Sequence, residues 1–190
     1  MPLGTTTAGP VRIREMTADD CEAVARVRVR GWQYAYAGLI PRAYLDAMSV
    51  EEETAKRREY LTRGDGRVAD LVAERAGRVV GWGCCGPSRD EDAPAGSAEV
   101  YALYVLPEQV STGVGRALMD ALIARAVSEG ASALVLWVLA ANERARRFYA
   151  KAGFAPDGAA EAFEVGGATV SEVRYARELS ASSAAAPSRG

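Results

Sequence analysis

The chain has 190 residues, of which 49% are hydrophobic and 25% are charged, a composition typical of one globular domain with a substantial core. Its formal net charge of −2 gives no bulk attraction to nucleic acid or to an anionic membrane. Histidine is absent from the sequence, which excludes serine–histidine and cysteine–histidine catalysis and histidine metal ligands, so no metal site is predicted.

The cysteines and the apolar runs indicate a cytoplasmic protein. Cys21, Cys84 and Cys85 show no C-x-x-C spacing, and reduced thiols in the cytosol explain them most simply. The first ten residues lack the charged start and apolar core of a signal peptide. The longest apolar run, near 133–141, is too short to span a bilayer.

In chain order, hydrophobic patterns and turn residues predict one domain over 11–179, with a flexible stretch at 1–10 and a disordered tail at 180–190. The predicted elements are strand 11–14, helices 18–36 and 50–61, strands 68–74, 78–85 and 100–106, a helix from 114 to about 130, strand 133–138, a helix from 142 to about 152, and closing strands near 162–165 and 170–179. The order β-α-α-β-β-β-α-β-α-β-β predicts an α/β fold (α+β, with a mixed sheet) whose faces are covered by helices.

Capping and turn residues support several of these boundaries. Thr17 can cap the first helix, and Ser49 with Glu52 forms a capping-box signature for the second. The pairs Ala76-Gly77 and Gly166-Gly167 each predict the tight turn of a hairpin.

The segment 99–116 combines a strand, a glycine turn and the start of a helix. Pro107 ends the apolar strand, and Gly113 and Gly115 lead into the helix. This arrangement presents unpaired backbone N–H groups to an anion, and Arg116 in the first turn is unfavourable to the helix dipole unless an anion is bound. A plain turn that uses glycine for its conformation is the alternative. No Lys-Ser/Thr pair follows Gly115, so the loop is not that of an NTPase, and the hairpin at 68–85 argues against a Rossmann unit.

The second informative segment is 142–154. Asn142 and Tyr149 are seven residues apart, so they share one face of a helix, with the small Ala145 between them. This face leaves room for a slender ligand. Alternatively, Asn142 serves only as a helix cap and Tyr149 only packs against Phe148.

Glu99 is the only charged residue of the apolar stretch 99–106, at the start of the predicted strand. Two-residue alternation places it on the same face as Tyr101, Leu103 and Val105. It is either a catalytic carboxylate or a hydrogen-bonded or solvated residue at the polar end of the strand.

Two motifs in these segments are specific when they occur together. They are Leu103-Tyr-Val-Leu-Pro-Glu108 with Gly113-x-Gly115-Arg-Ala-Leu118, and Asn142-x2-Ala145-x2-Phe148-Tyr149-x-Lys151-x-Gly153-Phe154. In this order, with a strand between them, they resemble the acetyl-CoA-binding core of the GNAT N-acyltransferase superfamily, and the likeness covers 11–179. The sequence departs from the family at Val110 and Ser111, where glutamine or arginine followed by glycine is usual. This departure bears on the affinity for CoA.

The resemblance implies an enzyme that transfers an acetyl group from acetyl-CoA to a primary amine by direct attack in a ternary complex. Glu99 resembles the general base of the histone-acetyltransferase branch, and Tyr149 is implied to protonate the CoA thiolate or to hold a water that does. Backbone N–H groups near Leu103 would polarise the thioester carbonyl, the glycine loop would hold the pyrophosphate, and Asn142 would steady the pantetheine arm. The residues implied to bind the cofactor are Leu103, Tyr104, Val105, Val110, Ser111, Thr112, Gly113, Val114, Gly115, Arg116, Asn142, Ala145 and Tyr149.

The acceptor is left open, as a small-molecule or peptide amine. The aromatic run Trp32, Tyr34 and Tyr36 lines an acceptor pocket or belongs to the core, and 90–92 attracts a cationic amine or is a solvated loop. Other functions consistent with the sequence are a CoA-binding sensor without catalysis, a different nucleotide-binding protein, and acyl transfer through a thiol of 84–85. Dimerisation is common in the family, but no apolar stripe identifies an interface.

Overall fold

The structure is a computed structural model that describes residues 9–64 and 66–179. The strands are β1 (Arg12–Glu15), β2 (Ala69–Arg75), β3 (Arg78–Pro87), β4 (Ser97–Val105), β5 (Ala133–Leu139), β6 (Ala155–Val165) and β7 (Ala168–Glu178). The helices are α1 (Cys21–Ala35), α2 (Arg42–Asp46), α3 (Val50–Arg63), α4 (Val114–Ser128) and α5 (Glu143–Lys151). None of the helices within these residues is long and apolar enough to cross a membrane. The stretch expected to be flexible lies outside them except for Gly9 and Pro10, as does the expected tail at 180–190.

The strands form one mixed sheet in the order β1-β2-β3-β4-β5-β7-β6. Only the pairing of β4 with β5 is parallel, and every other neighbouring pair in the described residues is antiparallel. The predicted α/β class, the mixed sheet and the order of the main elements are therefore confirmed.

Helices cover both faces of the sheet. A Cβ placed on Gly31 of α1 would stand 3.0 Å from the Cβ of Tyr104, so α1 packs closely on one face of β4. On the other face, a Cβ on Gly81 would meet Leu118 of α4 at 2.9 Å and Val105 at 3.2 Å. Glycine at these two positions lets the helices approach the strands, and most of the buried apolar side chains lie between these layers.

Local chemistry explains most element boundaries. Ser49 Oγ accepts a hydrogen bond from the backbone N–H of Glu52 at the start of α3, as its position predicted. The β2–β3 and β6–β7 hairpins turn at Ala76-Gly77 and Gly166-Gly167, where all four residues have positive φ. Gly130, with φ 81°, follows α4 as the predicted left-handed terminator.

Two elements differ from the prediction. The short α2 was not predicted, because Gly38 and Pro41 indicate only that the first helix is interrupted there. Strand β6 begins at Ala155 instead of near 162, and its register against β7 shifts between Pro156 and Ala160. Gly158 has φ 97° within this shift, so the first part of β6 carries proline and glycine signals that are typical of a loop.

An irregularity in β4 opens the sheet at its centre. Cys84 pairs with Ala102 and Cys85 pairs with Val100, so Tyr101 is an extra residue in β4, a β-bulge. Beyond it, β4 and β5 separate: their pairing covers only Ser97–Val100 with Ala133–Leu136, although both strands continue. The diverging edges leave backbone N–H and C=O groups of β4 free of β5, in a cleft beside the glycine loop.

Candidate active site

A first cavity, here called the glycine-loop cavity, occupies this cleft and has a volume of about 660 Å³. Helix α1, the end of β4, the loop before α4 and helix α5 supply its walls. Its cationic lining residues are Arg116, Arg144, Arg147 and Lys151, and no carboxylate of the described residues lines it. The cavity is therefore suited to an anionic ligand.

Two residues of the loop before α4 have backbone dihedral angles in the left-handed region, and they determine how the chain turns there. Gly113 has φ 92° and is the N-cap of α4, and Ser111 has φ 65°. A side chain at φ near +60° is strained, so glycine would adopt this conformation at position 111 at lower cost than serine. The start of α4, where the backbone N–H groups lack intrahelical partners, borders the cavity at Gly113 and Gly115, an arrangement typical of phosphate-binding sites.

Arg75, at the end of β2, holds this loop and was not predicted. Its guanidinium donates to Gln109 Oε1 at 2.6 Å, to Thr112 Oγ1 at 3.0 Å and to the Thr112 carbonyl oxygen at 3.2 Å. Because the contact spans 34 residues or more of sequence, no local pattern indicates it. Arg75 does not line the cavity, so it positions the loop from behind.

Most residues implied to bind the cofactor lie together in this cavity, but two side chains do not. The lining residues are Leu103, Tyr104, Val105, Val110, Ser111, Gly113, Gly115, Arg116, Asn142, Ala145 and Tyr149. Thr112 instead bonds Arg75 and the Gln109 carbonyl oxygen, and Val114 is fully buried in the core. Neither Thr112 nor Val114 lines the cavity.

The first-turn arginine has a local partner. Arg116 Nε donates to Asp120 Oδ1 at 2.8 Å, one turn further along α4. This ion pair offsets the unfavourable interaction of the cation with the helix dipole. The position of Arg116 is thus no independent indication of a bound anion.

Helix α5 supplies the opposite wall. Asn142 caps it, since Oδ1 accepts a hydrogen bond from the Ala145 backbone N–H at 3.1 Å. Tyr149 packs edge-on against Phe148 and Phe154. Both alternative structural roles considered for these residues are therefore present, and both residues also line the cavity. Burial, with the neighbouring Tyr104 as a smaller cause, raises the pKa of Tyr149, so its phenol is protonated at neutral pH.

A second cavity, here called the aromatic cavity, has a volume of about 440 Å³. Its aromatic lining residues are Trp32, Tyr36, Tyr101, Tyr104, Trp137 and Phe163, and its charged ones are Arg89, Asp90, Glu99, Glu161 and Glu172. Tyr104 lines both cavities, which makes them neighbours. Trp32 and Tyr36 thus lie where an acceptor pocket was considered, while Tyr34 lines the glycine-loop cavity.

Glu99 is buried in this cavity, with 1% of its surface exposed. Its carboxylate accepts hydrogen bonds from the Arg89 backbone N–H at 3.0 Å and from Arg89 Nε at 3.2 Å, and a second guanidinium nitrogen bonds its other oxygen. The arginine compensates the buried charge, as a carboxylate in this position requires. If Glu99 takes a proton from a ligand, it must do so while its carboxylate is also hydrogen-bonded to Arg89.

The bulge changes the alternation expected along β4. Glu99 and Tyr101 line the aromatic cavity, as predicted, but the next residue of β4 to do so is Tyr104. Leu103 and Val105 line the other cavity, so the expectation that they share a face with Glu99 is wrong. The extra residue at Tyr101 shifts the two-residue period by one position.

Loop 88–96 is held in place by a buried arginine. Arg174 of β7, 4% exposed, bonds Asp92 Oδ1 at 2.7 Å, Asp157 Oδ2 at 2.7 Å and Asp90 Oδ2 at 3.2 Å. Asp90 and Asp92 are therefore engaged in internal ion pairs. The Asp92 side chain is nevertheless largely exposed to solvent, whereas Asp90 lines the aromatic cavity.

The cysteines do not take part in either cavity. Cys84 and Cys85 are buried in β3, and burial raises the pKa of both thiols, that of Cys85 to about 11. A thiol in this state is a poor nucleophile, so acyl transfer through 84–85 has no support in the structure.

Comparisons with known proteins agree with this arrangement. An uncharacterised N-acetyltransferase of Mycobacterium bovis is 34% identical over 161 residues, which cover 84% of this chain and 98% of that protein. The crystal structure of PaiA N-acetyltransferase from Thermoplasma acidophilum in complex with coenzyme A superposes with a TM-score of 0.70 at 20% identity, covering 89% of this chain and 99% of PaiA. The structure of YncA from Salmonella typhimurium with its cofactor acetyl-CoA gives 0.68 at 22% identity, covering 96% of this chain and all of YncA.

A family model settles the classification. The model of the Acetyltransferase (GNAT) family matches residues 34–154, which include α1 from Tyr34 onwards, the bulged β4, the glycine loop and α5. The match thus spans most of the parts that form both cavities, apart from Gly31 and Trp32 of α1 and the lining residues of β6 and β7. The chain belongs to the Acetyltransferase (GNAT) family and is an N-acetyltransferase.

Proposed function

We propose that the protein transfers an acetyl group from acetyl-CoA to a primary amine of a small molecule or peptide, by direct attack in a ternary complex. The observation that carries this proposal is the meeting of two cavities of opposite charge at Tyr104, beside the open edge of β4. One cavity suits an anionic cofactor and the other suits a cationic acceptor. The reacting groups would meet between them.

The glycine-loop cavity fits acetyl-CoA on three counts. The start of α4 offers N–H donors to the pyrophosphate, the rim is cationic, and the free edge of β4 can bond the amide groups of the pantetheine arm. PaiA and YncA, which share the fold, were solved with coenzyme A and acetyl-CoA. Acetyl-CoA supplies an acyl group activated as a thioester.

Glu99 is the proposed general base. An alkyl ammonium has a pKa of about 10 and must lose a proton before it can attack. Glu99 is the one carboxylate of the aromatic cavity that lies on β4, the strand shared with the other cavity. It would take the proton directly or through water while Arg89 keeps its charge compensated.

Two further groups complete the proposed reaction. Backbone N–H groups of β4 near Leu103 and Val105, beyond the last pairing with β5, would bind the carbonyl oxygen as negative charge develops on it. Tyr149, whose pKa is raised by burial, keeps its proton at neutral pH and would donate it to the departing thiolate.

The assigned roles can be tested with isosteric variants. With an identified amine acceptor, we expect Glu99→Gln and Tyr149→Phe each to lower kcat by about 10²–10⁴, the range for general acid–base catalysis, and to leave CoA affinity within about threefold. CoA release across a full pH profile measures the first quantity and calorimetry the second. The controls are Glu178→Gln and Tyr60→Phe, on exposed residues outside both cavities. Wild-type rates for both active-site variants at every pH would contradict the roles.

A CoA-binding sensor without catalysis is the second candidate function. Two observations favour it. Arg89 is hydrogen-bonded to Glu99, and the chain has Val110 and Ser111 where glutamine or arginine followed by glycine is usual in the family. Calorimetric binding of CoA without turnover of any member of a broad amine panel would support the sensor. Turnover of any amine would exclude it.

A further inference from the structure

The aromatic cavity carries negative charge that the protein itself does not balance. Of its four carboxylates, Glu99 is paired with Arg89, and Asp90 accepts a hydrogen bond from Arg174. For Glu161 and Glu172, the described residues provide no ion pair and no hydrogen-bond donor. These two side chains are therefore available to a ligand.

The two free carboxylates lie directly opposite each other. Glu161 of β6 and Glu172 of β7 are cross-strand partners in the antiparallel pair. Like charges in this position destabilise a sheet. Burial, and next the Glu161 charge, raise the pKa of Glu172, which reflects the same repulsion. A cation between the two carboxylates would remove it.

The other walls suit a cation as well. Six aromatic rings line the cavity, and ammonium groups are attracted to the faces of such rings. Separately, the buried Trp32 Nε1 has no hydrogen-bond partner within the described residues and can donate to an acceptor atom of a ligand, such as a neutral amine nitrogen. The cavity thus has the features of a small-molecule site, with apolar walls and a few polar groups that fix orientation.

Glu99 and the Glu161–Glu172 pair are separate anchoring points. In the register of the sheet, Glu99 is level with Val135, which is level with Ala176 of β7, while Glu172 is level with Leu139. The two anchors are thus two strand spacings apart, about 10 Å, and four residues apart along the strands, about 13 Å, between backbone positions. One ammonium group cannot contact both.

We propose that the acceptor carries a second, permanently cationic group besides the amine that is acetylated, and that Glu161 and Glu172 bind this second group. The inference rests on the proposed acetyl transfer. The reacting amine must be neutral when it attacks, so it carries a positive charge only until its proton is removed. A pair of carboxylates remote from Glu99 suits a charge that persists through the reaction. The predicted acceptor class is a diamine or an amine with a basic side group.

Matched amines test this class. We expect kcat/KM for 1,5-diaminopentane to exceed that for pentylamine by about 10–100-fold, the effect of one to two charge-assisted hydrogen bonds, and 5-aminopentanoate to be the poorest of the three. In the double variant Glu161→Gln with Glu172→Gln, the diamine should fall to within about threefold of pentylamine. Glu178→Gln, which removes one charge from the same strand outside the cavity, should keep the wild-type preference. Equal rates for the diamine and pentylamine, or a preference that survives in the double variant, would overturn the inference.

A binding measurement separates this inference from the proposed reaction. The wild-type protein and the double variant, both saturated with CoA so that no acetyl group is present, are titrated calorimetrically with 1,5-diaminopentane and with pentylamine. Diamine binding that the double variant loses supports a cation site at Glu161 and Glu172 even if no amine is acetylated, in which case the proposed acetyl transfer fails. Acetylation without a diamine preference overturns the inference alone. If the diamine does not bind and no amine is acetylated, both the inference and the proposed acetyl transfer are overturned.

Discussion

The two cavities that meet at Tyr104 are built in opposite ways. The glycine-loop cavity is lined by four cationic side chains and no described carboxylate, and the aromatic cavity by four carboxylates and one arginine. The first takes its shape from the backbone of two short segments, the loop before α4 and the free end of β4. The second takes its chemistry from side chains on α1, loop 88–96 and strands β4 to β7. If the two cavities bind acetyl-CoA and the acceptor as proposed, the backbone site serves the ligand that does not vary, while the side-chain site can vary with the acceptor.

This difference has a consequence for substitutions. The glycine-loop cavity should be sensitive to changes in backbone conformation, and the aromatic cavity to changes of side-chain charge. Variants that alter only one of these properties therefore distinguish the two cavities, from the largest expected effect to the smallest.

The largest effect is expected at Gly113. Gly113 and Gly130 stand at the two ends of α4 with φ 92° and 81°, and a Cβ on either would meet no atom within 4 Å. Alanine at each position thus introduces conformational strain of roughly 1–2 kcal/mol without a clash. Gly113→Ala should also lower CoA affinity by about 10–100-fold, because the loop relaxes and loses a charge-assisted hydrogen bond to phosphate. Calorimetry with CoA measures this loss.

Gly130→Ala is the matched control, with a similar loss of thermal stability and unchanged CoA affinity. If both variants bound CoA like the wild type, the backbone at the start of α4 would not be the phosphate site.

The next effect concerns the support of the loop by Arg75. Arg75→Gln removes the bonds to Gln109 and Thr112, so we expect CoA affinity to fall by about 3–10-fold and amide hydrogen exchange at 110–112 to become faster. Arg78→Gln is the control, because Arg78 is the cross-strand partner of Arg75 and carries the same charge. Weaker CoA binding in both variants, with unchanged exchange in the loop, would show that Arg75 acts only through its charge.

The sequence predicted the glycine-loop cavity because its determinants are local. Gly113, Gly130 and Asn142 end or begin helices through their own conformation or side chain, so each signal lies within a few residues of its effect. The same holds for the hairpin turn at Ala76-Gly77. Arg75 was missed because its partners are distant in sequence and appear only when β2 comes to lie beside the loop.

The aromatic cavity was predicted only in part because pairing between distant strands creates it. The bulge at Tyr101 depends on the register of β3 against β4, and it moved Leu103 and Val105 to the other cavity. Glu161 and Glu172 resemble ordinary solvent-facing residues of closing strands, and only their register brings them together. Arg89 likewise meets Glu99 across a loop that composition alone cannot position.

A smaller effect is expected at Ser111, which tests whether its side chain or its backbone matters. Ser111 and Ala76 are the two residues other than glycine with positive φ in the described part of the chain. Glycine relieves strain at either position, partly offset by the greater entropy of the unfolded chain, so each variant should gain about 0.5–1 kcal/mol, or roughly 1–4 °C in Tm. Thermal unfolding measures the gain.

Binding of CoA separates these two variants. If the backbone of the loop forms the site, Ser111→Gly should bind CoA within about threefold of the wild type, as should Ala76→Gly. A loss of tenfold or more in Ser111→Gly alone would assign the phosphate contact to the serine hydroxyl and contradict a site made by the backbone.

The smallest effect is expected at Glu172, where stability and acceptor binding should move in opposite directions. The pKa of Glu172 is raised in the folded protein by burial and by Glu161, with Arg89 opposing. The folded chain therefore binds this proton more tightly than the unfolded chain does, and wild-type stability falls as pH rises from the unfolded pKa of about 4.3 through the folded value. Above that window Glu172 is ionised and the repulsion between it and Glu161 is fully present. The Glu172→Gln variant should then be more stable than the wild type by about 0.5 kcal/mol, or roughly 1–2 °C in Tm.

Below pH 4 the wild-type side chain is protonated and the stability difference should vanish. Glu178→Gln, which removes an exposed carboxylate from the same strand, is the control measured alongside at each pH. A Glu172→Gln variant that is less stable than the wild type at pH 7–8 would mean that the carboxylate has an internal partner, and the aromatic cavity would then lack the free charge that distinguishes it from the glycine-loop cavity. A gain in stability joined to a loss of diamine binding is the combination expected of a residue kept for its ligand at the expense of the fold.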